Sequence, residues 1–286
     1  LIAITLLAAA SAMAVTASRV GPVSTYGELK ANGGKLSGSC PEYANKAVQV
    51  KGMSLFWSSG NTYSTDFYTE KGINRLVDDM GIEVVRFALG AADEKFNSSG
   101  RSYTTGGEGF QKALLKSVVN AAVDKDIYVI IDWHIESSDG YTSQAKEFFK
   151  YAAQEYGKYN NVIFEIWNEP TGDMGTVKRH ADEVIPVIRE YSDNLILVGN
   201  PEWDQNPQQA IGNEVSDPKK NTAYTLHYYA ASHKATGDYD WGPGEGTRGQ
   251  QAIDAGLSVF VSEWGTGKAD GKGDVSPNND AWQNYM

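Results

Sequence analysis

Short apolar, β-branched runs recur along the chain, with amphipathic stretches between them. Ala47–Lys51, Glu83–Phe87, Ile127–Asp132, Val162–Ile166, Asn194–Val198, Ala223–Leu226 and Leu257–Val261 read as strands. From Glu83 to Leu257 they begin about 30 to 45 residues apart, the period of a βα repeat. The stretches between have helical spacing. Ile73, Leu76, Val77 and Met80 fall at i, i+3, i+4 and i+7, and Gly81 ends that helix. Phe110, Leu114, Val118 and Ala122 repeat at i+4. Ala145, Phe148, Phe149, Ala152, Ala153 and Tyr156 trace one apolar face, and Val177, Ala181, Val184, Ile185 and Ile188 another, with Pro186 as a kink. Strands apolar on both faces, alternating with helices apolar on one, imply a parallel sheet covered by helices.

The strand ends choose between an open and a closed sheet. Arg86 closes the second run, Asp132-Trp133-His134 the third, Asn168-Glu169 the fourth, His227-Tyr228-Tyr229 the sixth and Glu263-Trp264 the seventh. Functional groups at the C-terminal ends of so many strands converge only if the sheet closes on itself. An open nucleotide-binding sheet would need a Gly-rich first turn, and none is present. The expected fold is therefore an α/β fold, a (β/α)8 TIM barrel with seven strands present. Its last βα unit is expected to be missing beyond the polar loop Thr266–Asp274 and a helix starting near Asn279.

The richest stretch is Ile163 to Pro170, Ile-Phe-Glu-Ile-Trp-Asn-Glu-Pro. On a regular pleat Glu165, Trp167 and Glu169 share one face, and Phe164 and Ile166 the other. A carboxylate at the last inward position has apolar neighbours below and a cleft above, which raises its pKa toward that of a general acid. Glu263 ends the seventh run, across the mouth of a barrel from Glu169. Two carboxylates facing one cleft are the minimum equipment for glycoside hydrolysis. Arg86 is placed to hold one of them ionised. Tyr229 and His227 are placed to donate to that carboxylate or to a sugar, and Asn168 to bind a sugar hydroxyl. Glu165 reads as an ion-pair partner of Arg86 or His134 in the core. Asp132 and His134 share a face, but two ligands make a weak metal signal, and no metal or cofactor is expected. His180 and His233 read as solvated. Trp57, Trp203 and Trp264 follow strands directly and are placed to reach the mouth, whereas Trp133 and Trp167 wall the barrel.

Composition narrows the ligand. A net charge of −11 and a pI near 4.9 argue against nucleic acid or anionic membrane as partner. Seven Trp and sixteen Tyr suit a neutral, ring-shaped ligand. No Pro- or Gly-rich linker divides the 286 residues, so residues 18–286 read as one catalytic domain, incomplete at its C-terminus, acting as a monomer. Residues 1–17 have the apolar run and small-residue end of a signal peptide remnant, which predicts a secreted protein with no membrane anchor after cleavage. Cys40 is the single cysteine, so these residues form no disulfide among themselves and its surroundings offer no base.

These motifs resemble glycoside hydrolase family 5, most closely its bacterial endoglucanase branch, from about Gly21 onward. The resemblance rests on Val50-Lys51-Gly52-Met53-Ser54, Val85-Arg86, Ile131-Asp132-Trp133-His134, Trp167-Asn168-Glu169-Pro170, His227-Tyr228-Tyr229 and Val261-Ser262-Glu263-Trp264-Gly265. It implies a retaining double displacement with Glu169 as acid/base and Glu263 as nucleophile. It also implies a sugar site lined by Arg86, His134, Asn168, His227 and Tyr229, with Trp203 as a platform on the leaving-group side and Trp57 as a further substrate contact. The substrate implied is a β-1,4-linked polysaccharide, cellulose or a related β-glucan. A β-mannanase or xyloglucanase on the same barrel, and an inactive glycan-binding barrel, stay open as alternatives.

Overall fold

The computed structural model describes residues 20–60, 65–93 and 100–285, so the leader reading of residues 1–17 lies outside the described residues. Seven strands form one sheet: β1 (Gly52–Ser54), β2 (Val84–Gly90), β3 (Tyr128–His134), β4 (Val162–Glu165), β5 (Ile196–Val198), β6 (Thr222–Tyr229) and β7 (Val259–Gly265). Every pairing is parallel, and spatial order follows chain order from β1 to β7. Each crossover thus moves one strand onward without reversing, which is the winding of a barrel rather than of a doubly wound sheet. Among the described residues β1 and β7 are each paired on one side, so the barrel is nearly closed.

Helices α1 (Glu70–Met80), α2 (Glu108–Asp124), α3 (Thr142–Tyr156), α4 (Met174–Arg189) and α5 (Glu245–Asp254) cover the outside. The local signals act as expected in α1. The Thr69 hydroxyl accepts from Gly72 N at 3.0 Å, and Gly81 stops the helix at φ 68°. Between helices and sheet lies the main apolar layer, where Trp133, Phe148, Phe149 and Phe164 pack ring against ring. Burying a side chain of this size contributes roughly 1.5–3 kcal/mol.

Two expectations from periodicity need correction. The buried face of α2 is Gln111, Leu115, Val118, Val119 and Ala122, so the stripe is turned from Phe110 and Leu114, and Phe110 is exposed beneath the Arg101 guanidinium. The first strand starts at Gly52, after the Ala47–Lys51 run. Val48 and Val50 instead pack, half-buried, against a second apolar cluster that plugs the bottom of the barrel. That plug was not foreseen. It joins a short helix, Pro22–Tyr26, and a hairpin, Leu29–Ala31 with Leu36–Gly38, to Val84, Tyr128, Ile163 and Phe260. A Cβ on Gly52 would lie 1.7 Å from the Val84 carbonyl oxygen, so β1 approaches β2 this closely only with glycine there.

His180 and His233 are not solvated. His180 is buried, and desolvation pushes it down to about 4, so the ring is neutral. It donates from Nε2 to the Ile166 carbonyl at 2.9 Å and accepts from the Thr142 hydroxyl at 2.9 Å. His233 is half-buried, and its Nδ1 accepts from Tyr229 N at 2.9 Å.

Candidate active site

The strands run further toward the mouth than their apolar runs suggested. β2 reaches Gly90, β3 reaches His134 and β6 reaches Tyr229. The ladder continues through polar residues because those residues satisfy one another across the barrel.

Two breaks in the pleat aim the carboxylates. β4 ends at Glu165, and Ile166 and Trp167 both turn into the outer apolar layer, so Trp167 does not share the face of Glu165. His180, packed 4.9 Å from the Trp167 ring and bonded to Ile166 O, holds this bend. Asn168 and Glu169 then both return to the cleft. Their amides are bonded to Trp133 O and Ile135 O, and Glu169 pairs with Glu136 in a short parallel bridge. In β7 the register against β6 slips: Thr225 faces Phe260, but His227 faces Glu263. The extra residue is a bulge, and it directs both Ser262 and Glu263 inward.

Arg86 is the hub of the buried floor, 1% exposed. Its Nε donates to Glu165 Oε2 at 2.7 Å, Nη1 to Glu263 Oε2 at 2.8 Å and to Ser54 Oγ at 3.2 Å, and Nη2 to Asn168 Oδ1 at 2.5 Å. Asp132 Oδ2 lies 2.9 Å from Nη2, so one planar fork ties its own strand to four others. Glu165 is the core ion-pair partner anticipated for Arg86. Burial opposes its ionisation, but Arg86 and the His227 side prevail and hold it at about 2.

The two mouth carboxylates have unlike surroundings. Desolvation works against charge on Glu263, yet His227, Arg86, His134 and a hydrogen bond from the Tyr229 hydroxyl outweigh it and hold the carboxyl at about 2. Glu169 is pushed up by burial, with the negative charges of Glu263 and Glu136 adding to the rise and His227 opposing it. One oxygen of each carboxylate and a nitrogen of His227 all lie within 4.8 Å of one another.

His227 links the halves. Ser262 donates to Glu165 Oε1 at 2.7 Å, so it accepts from His227 Nε2–H at 2.9 Å. The other imidazole nitrogen faces Glu169 Oε1 at 2.8 Å, and a proton sits between them. His134 bonds Asp132 Oδ2 through Nδ1 at 2.6 Å and meets the edge of Trp57 at 4.3 Å. Trp57 is 4% exposed, so it walls the cleft behind His134 and is not an open platform. Trp203 is half exposed on a left-handed turn, Glu202–Asp204, with φ near 58° at all three residues. Trp264 lies on the outer side of β7, stacked toward Tyr228 at 6.0 Å, and does not reach the mouth.

Sequence reasoning passed over Ser54, Asp204 and Ser262. Asp204 is fully buried, accepts from Asn200 N at 2.6 Å, contacts the Thr225 hydroxyl and lies 3.6 Å from His227 Nε2. Its one signal was adjacency to Trp203. Among the described residues, two sets of ligand-type atoms are close enough to hold a cation, Glu165–Asp204–His227 and Glu169–His227–Glu263. Both need His227, whose two nitrogens are already bonded to Ser262 and Glu169, and Arg86 already neutralises charge in the same cluster.

Residues 41–286 match the family model described as cellulase (glycosyl hydrolase family 5). The chain is 38% identical over 263 residues to endoglucanase Z of Dickeya dadantii, covering 90% of this chain and 56% of that protein. It is 38% identical over 254 residues to endoglucanase A of Evansella cellulosilytica, covering 84% and 46%. The chain thus spans about half the length of these curated relatives. Among solved structures, the catalytic domain of Thermobifida fusca endoglucanase Cel5A superposes with a TM-score of 0.78 at 28% identity, over 93% of this chain and 83% of that one. A Cytophaga hutchinsonii structure gives 0.78 at 33% identity, over 92% and 79%. Strand winding, a mouth built from strand ends and sequence similarity over nearly the whole chain agree: this chain belongs to the cellulase family, glycosyl hydrolase family 5.

Proposed function

We propose that the protein is a retaining endo-β-1,4-glucanase acting on internal bonds of cellulose or a related β-glucan. The observation that carries this reading is the pair Glu169 and Glu263, with oxygens within 4.8 Å and opposite protonation tendencies. Retaining glycosidases hold their carboxyl groups about 5–5.5 Å apart, whereas inverting ones need about 6.5–9.5 Å to admit a water. Glu263, held ionised by His227, Arg86 and the Tyr229 hydroxyl, attacks the anomeric carbon. Glu169 gives its proton to the leaving oxygen, the bond breaks, and a glycosyl ester forms on Glu263. Glu169, now a carboxylate beside His227, takes a proton from water, which attacks the same carbon and frees Glu263. His134, Asn168, His227 and Tyr229 line the sugar site in this scheme, and Trp203 stacks on the leaving-group side.

A related structure of the Thermobifida fusca endoglucanase holds cellotetraose, which favours a β-glucan as substrate class. Every group of the cycle comes from one chain, so a monomer suffices. The leader-like residues 1–17 place the enzyme outside the cell in this proposal. Proton NMR of the first product tests the mechanism: retention of the β-anomer is expected, and inversion would remove Glu263 as nucleophile. Reducing-sugar release from carboxymethylcellulose, glucomannan and xyloglucan in parallel tests the substrate, with carboxymethylcellulose expected to be cleaved fastest.

A further inference from the structure

The loop from β6 to α5 crosses the mouth face and carries a feature that the proposed cycle does not use. Asp238–Tyr239 pairs with Gly242–Pro243 as a two-residue hairpin whose tip is Asp240-Trp241. Trp241 is 71% exposed, against 46% for Trp203 and 45% for Trp264. Isolated exposed apolar side chains are common and need no explanation. This one differs in being held. Its ring lies parallel to Tyr239, 3° between planes and 4.5 Å between centroids. Tyr239 donates its hydroxyl to Glu245 Oε2 at 2.8 Å, and the buried Glu245 also accepts from Lys234 N at 2.8 Å. Lys234 Nζ sits 4.7 Å from the Tyr239 ring centroid. The Arg248 guanidinium, 5% exposed, lies 5.4 Å from the Trp241 ring centroid.

We infer that Trp241, backed by Tyr239, is an additional sugar platform that binds pyranose units of the β-glucan on the leaving-group side, outward from Trp203. The occupant follows from continuity. Arg248, against Trp241, donates through Nη1 to Gln205 O at 3.4 Å, two residues past Trp203. One buried cation thus lies against the Trp241 ring and bonds the backbone two residues past Trp203, tying together the neighbouring loops after β5 and β6 that carry the two exposed indoles. A β-1,4-linked pyranose has equatorial hydroxyls and faces of C–H groups, which suit an open indole face. A platform fixed in advance also loses little entropy on binding. The inference rests on the proposed glucanase reading for its choice of ligand.

The test uses the full chain carrying Trp241→Ala, with cellohexaose and an aryl β-cellobioside as substrates. The aryl substrate is too short on the leaving-group side to reach Trp241. The kcat/KM for cellohexaose falls about tenfold, mainly through KM, the loss expected when about 1.4 kcal/mol of binding is removed. The aryl cellobioside is cleaved at the wild-type rate, and Trp241→Tyr recovers part of the loss. An unchanged KM for cellohexaose overturns the inference, as does an equal loss on both substrates. Loss of adsorption to insoluble cellulose with KM for cellohexaose unchanged also overturns it, in favour of a surface contact. Cellohexaose binding, followed by tryptophan fluorescence, separates this inference from the reaction itself. A wild-type protein that binds without turnover, and loses affinity on Trp241→Ala, contradicts the glucanase reading and supports the platform.

Discussion

Glu263 and Glu169 are the same kind of group in the same cleft, yet the protein treats them oppositely. Glu263 stands on the Arg86 side, where a buried guanidinium and the Tyr229 hydroxyl both favour charge. Glu169 stands on the His227 side, where its hydrogen-bonding partner is itself titratable and two other carboxylates are near. Burial raises both carboxyls, and for Glu263 the His227, Arg86 and His134 side chains together with the Tyr229 hydroxyl reverse that, whereas for Glu169 His227 opposes it without reversing it. The division of labour in the proposed cycle therefore belongs to the neighbours rather than to the carboxylates. It also has a pH signature. In that cycle Glu263 works ionised, and activity is expected to fall only as pH drops toward about 2. In the same cycle Glu169 works protonated, and activity is expected to fall as pH rises through its elevated pKa, which gives a bell-shaped profile.

The largest effect is expected from Glu263→Gln, which removes the proposed nucleophile. Turnover drops by roughly 10⁵-fold or more on cellulose oligomers and aryl cellobiosides alike. Glu169→Gln comes next. It costs about 10²–10⁴-fold on natural substrate but little in the burst phase on an aryl glycoside with an acidic leaving group, which departs without a proton. Pre-steady-state kinetics on both substrates checks the pair, and equal losses on the activated substrate would break the contrast. Arg86→Lys should act between these and wild type. A single ammonium cannot serve Glu165 and Glu263 together, so the pKa of Glu263 rises and the acid limb of kcat/KM moves up by about one pH unit, with the alkaline limb fixed. Circular dichroism controls for folding. The smallest effect is expected from Ser262→Ala, which cuts the bridge between the two halves. Chemical denaturation should show a loss of about 1–3 kcal/mol, from the unpaired His227 Nε2–H, with the acid limb unmoved. A shifted acid limb would mean that Ser262 also tunes Glu263.

Much of the site could be read from the chain. Arg86, His134, Asn168, Glu169, His227, Tyr229 and Glu263 stand where apolar runs give way to polar residues, and the structure brings them to one mouth. Other parts were not legible. Ser262 is bonded to His227 across 35 positions and to Glu165 across 97, and no local pattern marks a serine for that task. Asp204 meets His227 only because β5 and β6 are neighbours. Trp57 and Trp264 looked equivalent to Trp203 in sequence, yet one is buried against His134 and the other stacks outside β7. His180 read as solvated because a histidine on a helix usually is, whereas here it fastens the bend behind Glu169.

The sequence by itself determined the architecture, because the alternation of two-sided apolar strands with one-sided helices has few ways to bury its surface. It also determined that chemistry sits at the C-terminal ends of the strands. Only the tertiary structure decided which carboxylate is charged, and which side chains face the cleft. Facing depends on the bend after β4 and the bulge in β7, each a departure from the regular pleat set by contacts with other elements. Charge depends on desolvation and on cations a few ångströms away in space. A sequence fixes the order of residues along the chain, and these forces depend on distance through it.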